Sequence, residues 1–174
     1  MPFSLLPKMM VPGIPSLTEE LLKKKNIRLL MLDFDNTIVP YTTNTPTEEM
    51  ERWLKRMRSS EIALCVVSNS KKGRVKEFCR RYDIPCITHS QKPFPKGIRQ
   101  CLNQYGIPAE NCAFAGDVIS AAELLFLAFF AGGDHSQGNL RCVHSFAPPP
   151  YRSSRTLCVV RVHRCLNFQH NKLH

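Results

Sequence analysis

With 174 residues and an apolar content of 43%, the chain can close one domain around a real core, which excludes neither an enzyme nor a binding module. A formal net charge of +10, from 24 Lys and Arg against 14 Asp and Glu, suits an anionic partner such as a phosphate ester, an acidic lipid surface or a nucleic acid, without choosing among them. Eight cysteines include no C-x-x-C pair, and Cys79–Cys86 and Cys158–Cys165 are each seven apart. That spacing argues against a zinc knuckle or a disulfide framework, so free thiols in a reducing cytosol are expected.

The N-terminal stretch MPFSLLPKMMVPGIP is cut by Pro2, Pro7, Pro12 and Pro15 and holds no h-region of signal-peptide length. A first helix is predicted over Thr18–Lys25: Ser16 or Thr18 can cap it, acidic residues open it and lysines close it, matching the helix dipole. Arg28–Asp33 is a short apolar run ending in a carboxylate, which reads as a strand buried on both faces. Thr47–Ser59 is an amphipathic helix with Met50, Trp53, Leu54 and Met57 on one side.

The pattern then repeats. Ile62–Val67 is a second buried strand closing on Ser68 and Asn69, and Gly73–Tyr82 is a basic helix. Pro85–Ile87 starts a short third strand. Lys96–Tyr105 is a helix stopped by Gly106 and Pro108. Cys112–Ala115 is a fourth strand, ending at Gly116 and Asp117. Strands alternating with helices imply an α/β fold with a parallel, doubly wound sheet. The longest later apolar run, Leu124–Ala131, is far short of a bilayer span. A cytoplasmic protein, at most peripheral to a membrane, is expected.

Three of these strands end in polar residues: Asp33, then Ser68 with Asn69, then Asp117. In an open parallel sheet, ligands bind outside the carboxyl ends of the strands, so these ends are expected to meet at one site. In D-F-D-N-T, Asp33 to Thr37, two carboxylates two residues apart can converge on one cation. Magnesium takes hard oxygen ligands and binds through one or two carboxylates plus phosphate and water. A carboxylate can also attack phosphorus, and its neighbour can protonate the leaving oxygen and then activate water. A turn in which Asp35, Asn36 and Thr37 cap one another is the structural alternative.

D-F-D-N-T after a buried strand resembles the first motif of the haloacid dehalogenase superfamily. V-V-S-N resembles the second, Q-K-P the third and F-A-G-D the fourth, in the family's order. The stretch LLPKMMVPGIPSLTEELLKKKNIRLLMLDFDNTIVPY, with K-P-F-P-K-G-I, is similar to the YqeG-type branch, subclass IIIA. The resemblance runs from Leu5 to Asp117. It implies a magnesium-dependent phosphatase working through an aspartyl-phosphate. Asp33 would be the nucleophile and a metal ligand, and Asp35 the general acid and base, its backbone carbonyl also reaching the metal. Ser68, with Asn69 beside it, would bind the phosphoryl oxygens. Lys92 would neutralise charge between nucleophile and phosphate, Lys96 being a weaker candidate, and Asp117 would complete the metal site. Relatives in the branch resemble phosphatases acting on phosphatidylglycerophosphate, which implies a phosphorylated small molecule or phospholipid headgroup as substrate and peripheral membrane contact. Val39–Pro46 is only a short loop, so a minimal cap or none is expected.

The resemblance stops at Asp117. The family usually places an acidic residue four or five positions on, where this chain has Ala121 and Ala122; Glu123 is one step further. Composition changes at the same point. Twelve acidic residues precede Val118 and two follow it, and five of the six histidines lie in this last part. The segment holds P-P-P at Pro148–Pro150, and only Thr156–Val162 reads as a strand. The expected organisation is therefore a phosphatase core over 1–117 and an atypical tail over 118–174, frame-shifted, divergent or poorly ordered. The tail's His and Cys spacings match no recognised metal site, and its arginines lack aromatic interleaving, so nucleic acid is not the expected partner. Two alternatives stand beside the enzyme. One is a domain that binds a phosphorylated ligand or protein without efficient turnover; the other is a nucleic-acid-associated protein with structural carboxylates.

Overall fold

Uninterrupted apolar runs separated by amphipathic helices set the architecture, and the computed structural model describes it for residues 9–70, 73–91, 96–116 and 157–161. In chain order these hold β1 (Met9–Val11), α1 (Glu19–Lys24), β2 (Leu29–Leu32), α2 (Glu48–Arg58), β3 (Ala63–Val67), α3 (Gly73–Tyr82), β4 (Cys86–Ile87), α4 (Lys96–Tyr105), β5 (Cys112–Gly116) and β6 (Leu157–Arg161). Short 3-10 turns lie at Ile14–Ser16 and Ala109–Asn111.

The strands form one sheet in the order β1-β6-β5-β2-β3-β4. Its centre is parallel as expected: Leu29–Leu32 pairs with Ala63–Val66 on one side and Cys112–Ala115 on the other, and β4 joins β3 in parallel. β6 runs antiparallel to β5, and β1 antiparallel to β6. These two strands add an antiparallel flank that strand–helix alternation does not foretell. β6 falls within the predicted Thr156–Val162 run. β1 was not expected in the proline-cut N-terminus. It fits because Met9–Val11 lies between Pro7 and Pro12 and occupies the edge of the sheet, where proline neighbours break no interior ladder.

Both faces of the parallel centre are covered. Leu30, Leu32, Leu64, Val66, Ala113 and Ala115 join one core, and Leu29, Met31, Cys65, Val67, Cys112 and Phe114 the other. This is the period-two alternation of a strand buried on both sides. α2 and α3 pack on the first face through Met50, Trp53, Leu54, Met57, Val75, Phe78, Cys79 and Tyr82. α4 covers the second through Ile98 and Cys101. The chain steps outward from β2 to β3 and β4, then crosses back to β5 on the other side of β2. With right-handed crossovers, that reversal sends α4 to the opposite face.

Local signals account for the helix ends. Thr18 and Thr47 cap α1 and α2, each hydroxyl accepting a backbone N–H at 3.2 Å (Leu21 and Met50). Glu48, Glu49 and Glu51 open α2, and Lys55, Arg56 and Arg58 close it. α4 ends at Gly106, whose φ of 61° is the left-handed conformation glycine takes without strain. Val39–Pro46 forms turns leading to α2, with no inserted cap domain. Among the described residues, no helix is long and apolar enough to cross a membrane. The boundary at Asp117, the frame-shift expectation and Ala121, Ala122 and Glu123 lie outside the described residues.

Candidate active site

The strand order reverses at β2, and in open parallel sheets ligands bind at the carboxyl ends of the strands beside such a reversal. Asp33 stands there. Its backbone N–H extends the ladder to the Ala115 carbonyl at 3.0 Å, and the residue is only 6% exposed. The chain then turns sharply. The Phe34 carbonyl accepts from the amides of Thr37, Ile38 and Val39, and Asn36 donates to the Val39 carbonyl at 2.8 Å. Asn36 adopts a φ of 57°, which asparagine tolerates better than most residues, and its Oδ1 accepts from the Tyr41 amide at 3.2 Å. The turn reading of D-F-D-N-T is thus real, and it coexists with two carboxylates at the strand end.

Ser68 leaves β3 one position beyond the level of Asp33, since Leu32 is in register with Val66. It is buried; its N–H donates to the Ile87 carbonyl at 2.9 Å, and its Oγ accepts from the Ser70 amide at 3.1 Å. Asn69 beside it is exposed at the surface, and its Oδ1 accepts from the Ser90 hydroxyl at 2.8 Å. Ser90 is buried, and its amide donates to the Ser68 carbonyl at 3.1 Å. α4 approaches at Gly97, whose amide donates to the Ser90 carbonyl at 3.2 Å; a Cβ there would sit 2.4 Å from that of Ser90.

The buried polar or charged side chains among the described residues are Asp33, Thr37, Ser68 and Ser90. All four stand in the segments leaving the carboxyl ends of β2, β3 and β4. Buried polar groups are costly unless paired, and their concentration along one edge singles that edge out as the candidate site. The Thr37 hydroxyl is buried without a hydrogen-bond partner among the described residues.

Asp35 is half-buried, and its Oδ1 accepts from Arg74 Nη2 at 2.8 Å. Arg74 belongs to the first turn of α3. Its Nη1 also donates to the Tyr41 carbonyl at 2.7 Å, and its guanidinium lies 5.1 Å from the Phe34 ring centroid. Sequence reasoning passed over both Arg74 and Ser90. Arg74 is one of four basic residues on a helix where Lys76, Arg80 and Arg81 are exposed. Its position next to the S-N loop was the one available signal.

Asp33, Asp35 and the orphaned Thr37 hydroxyl supply hard oxygen atoms without a thiol or imidazole among them, a donor set that fits magnesium. Among the described residues no group of three His, Cys, Asp or Glu side chains forms a metal site. The third expected ligand, Asp117, and the expected phosphate-neutralising Lys92 lie outside the described residues. Lys96 opens α4 and is exposed.

The family model described as mitochondrial PGP phosphatase matches residues 1–105. The Bacillus subtilis protein Probable phosphatase YqeG is 31% identical over 112 residues, covering 64% of this chain and 65% of its own length. The chain thus spans just under two thirds of that relative. Among solved structures, a HAD superfamily (subfamily III A) hydrolase from Legionella pneumophila is similar with a TM-score of 0.47 at 17% identity, over 56% of this chain and 59% of that one. The cobalt-bound deoxy-D-mannose-octulosonate 8-phosphate phosphatase of Haemophilus influenzae gives 0.46 at 16% identity, over 55% and 61%.

Proposed function

The chain belongs to the mitochondrial PGP phosphatase family, and on that premise we propose that it hydrolyses phosphomonoesters with Asp33 as nucleophile. The observation that carries this reading is the row of buried polar side chains, Asp33, Thr37, Ser68 and Ser90, along the carboxyl edge of a parallel sheet. An Asp33 oxygen attacks phosphorus as the ester P–O bond breaks, and Asp35 gives its proton to the departing oxygen. Asp35 then takes a proton from water, whose oxygen attacks phosphorus; the bond to Asp33 breaks and phosphate leaves. Ser68 and Asn69 hold the phosphoryl oxygens, and Lys92 offsets their charge. The Asp33 and Asp117 carboxylates and the Asp35 backbone carbonyl would hold magnesium, which when bound lowers the charge barrier to attack on a phosphate dianion.

The family's description favours a phospholipid phosphate as substrate, and the net charge of +10 favours an anionic membrane surface. The short Val39–Pro46 connection, with no cap inserted there, is compatible with a bulky headgroup. An aqueous compartment bordering such a membrane is the proposed location. The cytoplasmic setting expected from sequence is one such compartment, and the mitochondrial one in the family's description is another.

Phosphate release from an aryl phosphate, with and without magnesium, tests the reading. Activity should require the metal and fall about 10³-fold or more in Asp33→Asn. Folded protein that is inactive with every divalent cation would instead support a domain that binds a phosphorylated ligand without turnover. Ala121 and Ala122, standing where the family has an acidic residue, favour that second reading.

A further inference from the structure

We propose that Arg74 is a positioning residue that holds the Asp35 carboxylate in the orientation needed for proton transfer; this rests on Asp35 being the general acid and base. Asp35 sits on a loop after β2 rather than on the strand itself, so the sheet does not orient its side chain. Arg74 does, from a different element 39 positions away. Nη2 donates to Asp35 Oδ1 at 2.8 Å and lies 3.5 Å from the Pro40 carbonyl, while Nη1 donates to the Tyr41 carbonyl at 2.7 Å. The guanidinium is also within 5.1 Å of the Phe34 ring centroid and 5.6 Å of that of Tyr41. A planar fork held by rings and by several acceptors keeps one orientation, and a carboxylate bonded to it loses its free rotation.

Two features separate this pair from an ordinary surface ion pair. The Arg74 and Asp35 side chains are 13% and 26% exposed, whereas the Arg58–Asp83 pair is 47% and 83% exposed. Arg74 Nε is buried without a partner among the described residues, a cost that solvation would relieve. The clamp also ties α3 to the Pro40–Tyr41 backbone.

Leaving-group dependence tests the role. An alkyl phosphate needs its departing oxygen protonated; a nitrophenyl phosphate needs this far less. The comparison uses kcat/KM of the magnesium-loaded full chain, which reports steps up to alcohol release. Arg74→Met should lower kcat/KM for glycerol phosphate about 30- to 100-fold, and for nitrophenyl phosphate only about threefold. Arg74→Lys, which keeps the charge without the fork, should show the same ester selectivity with a smaller loss, and it carries the test if Arg74→Met does not fold. Equal losses on both esters, or none, would overturn the positioning role. Asp35→Asn separates the premise: if it leaves glycerol phosphate hydrolysis intact, the general acid assignment fails whatever Arg74 does. Melting of metal-free protein adds a readout without turnover. The melting-temperature losses of Arg74→Met and Asp35→Asn should not add in the double variant, and strict additivity would overturn the pairing.

Discussion

The two faces of the sheet are built differently. On one, α2 and α3 lay Trp53, Phe78 and Tyr82 over the strands, with Phe34 edge-on to Phe78 at 5.2 Å between ring centroids. On the other, α4 supplies Ile98 and Cys101 against Cys65, Cys112 and Phe114. The aromatic face carries most of the large buried side chains and supports the Asp35 loop through Phe34 and Arg74. Among the described residues the thiol face is thinner, and it meets the Ser68–Asn69 loop through Ser90 and Gly97. Among the described residues, large apolar burial is thus concentrated on one side of the sheet, while the candidate site draws its supports from both.

Trp53→Ala would break this contrast most severely. Trp53 is fully buried and its indole N–H donates to the Leu17 carbonyl at 2.7 Å, so the change should cost about 3–5 kcal/mol in chemical denaturation. A loss no larger than that of Cys101→Ala on the other face would refute the unequal division. Gly97→Ala probes the thin face. Its Cβ would lie 2.9 Å from the Ser90 backbone, so α4 must shift, at about 1–3 kcal/mol. Because Ser90 holds Asn69, the same variant should also raise KM; unchanged stability and KM would show that α4 yields freely.

Thr47→Ala removes the α2 cap on the aromatic face and should cost about 1 kcal/mol without altering KM. The smallest effect at neutral pH comes from the thiol face. Burial, with the charge of Glu110 adding, pushes the Cys112 thiol from 9.0 up to about 11, and burial raises the Tyr105 hydroxyl, which donates to the Leu64 carbonyl. A folded-state pKa above the unfolded one means the folded chain holds its proton longer. That stability is complete below pH 9 and is lost as pH rises toward 11. The melting temperature should therefore stay level to about pH 9 and then decline. A flat profile to pH 11 would contradict it.

Much of the parallel half could be read locally. α3 and α4 begin and end where the sequence places them, because their apolar stripes are framed by charged faces and α4 has a glycine stop. α2 was read one residue long at each end, since Thr47 and Ser59 prove to be its caps. β1 was missed because three apolar residues between prolines carry no period. The antiparallel direction of β6 was also beyond reach, since direction depends on the route of the chain and not on the composition of the strand.

The sequence by itself determined the repeating strand–helix order, the burial of β2 and β3, and the placing of Asp33 and Ser68 at strand ends. Those properties follow from side-chain periodicity and local capping, which act over a few residues. Only the tertiary structure decided that Arg74 meets Asp35, that Ser90 meets Asn69 across 21 positions, and that Trp53 reaches Leu17 across 36. Such pairings depend on strand register and on how the crossovers pack. A long-range contact becomes favourable only after the intervening chain has been ordered.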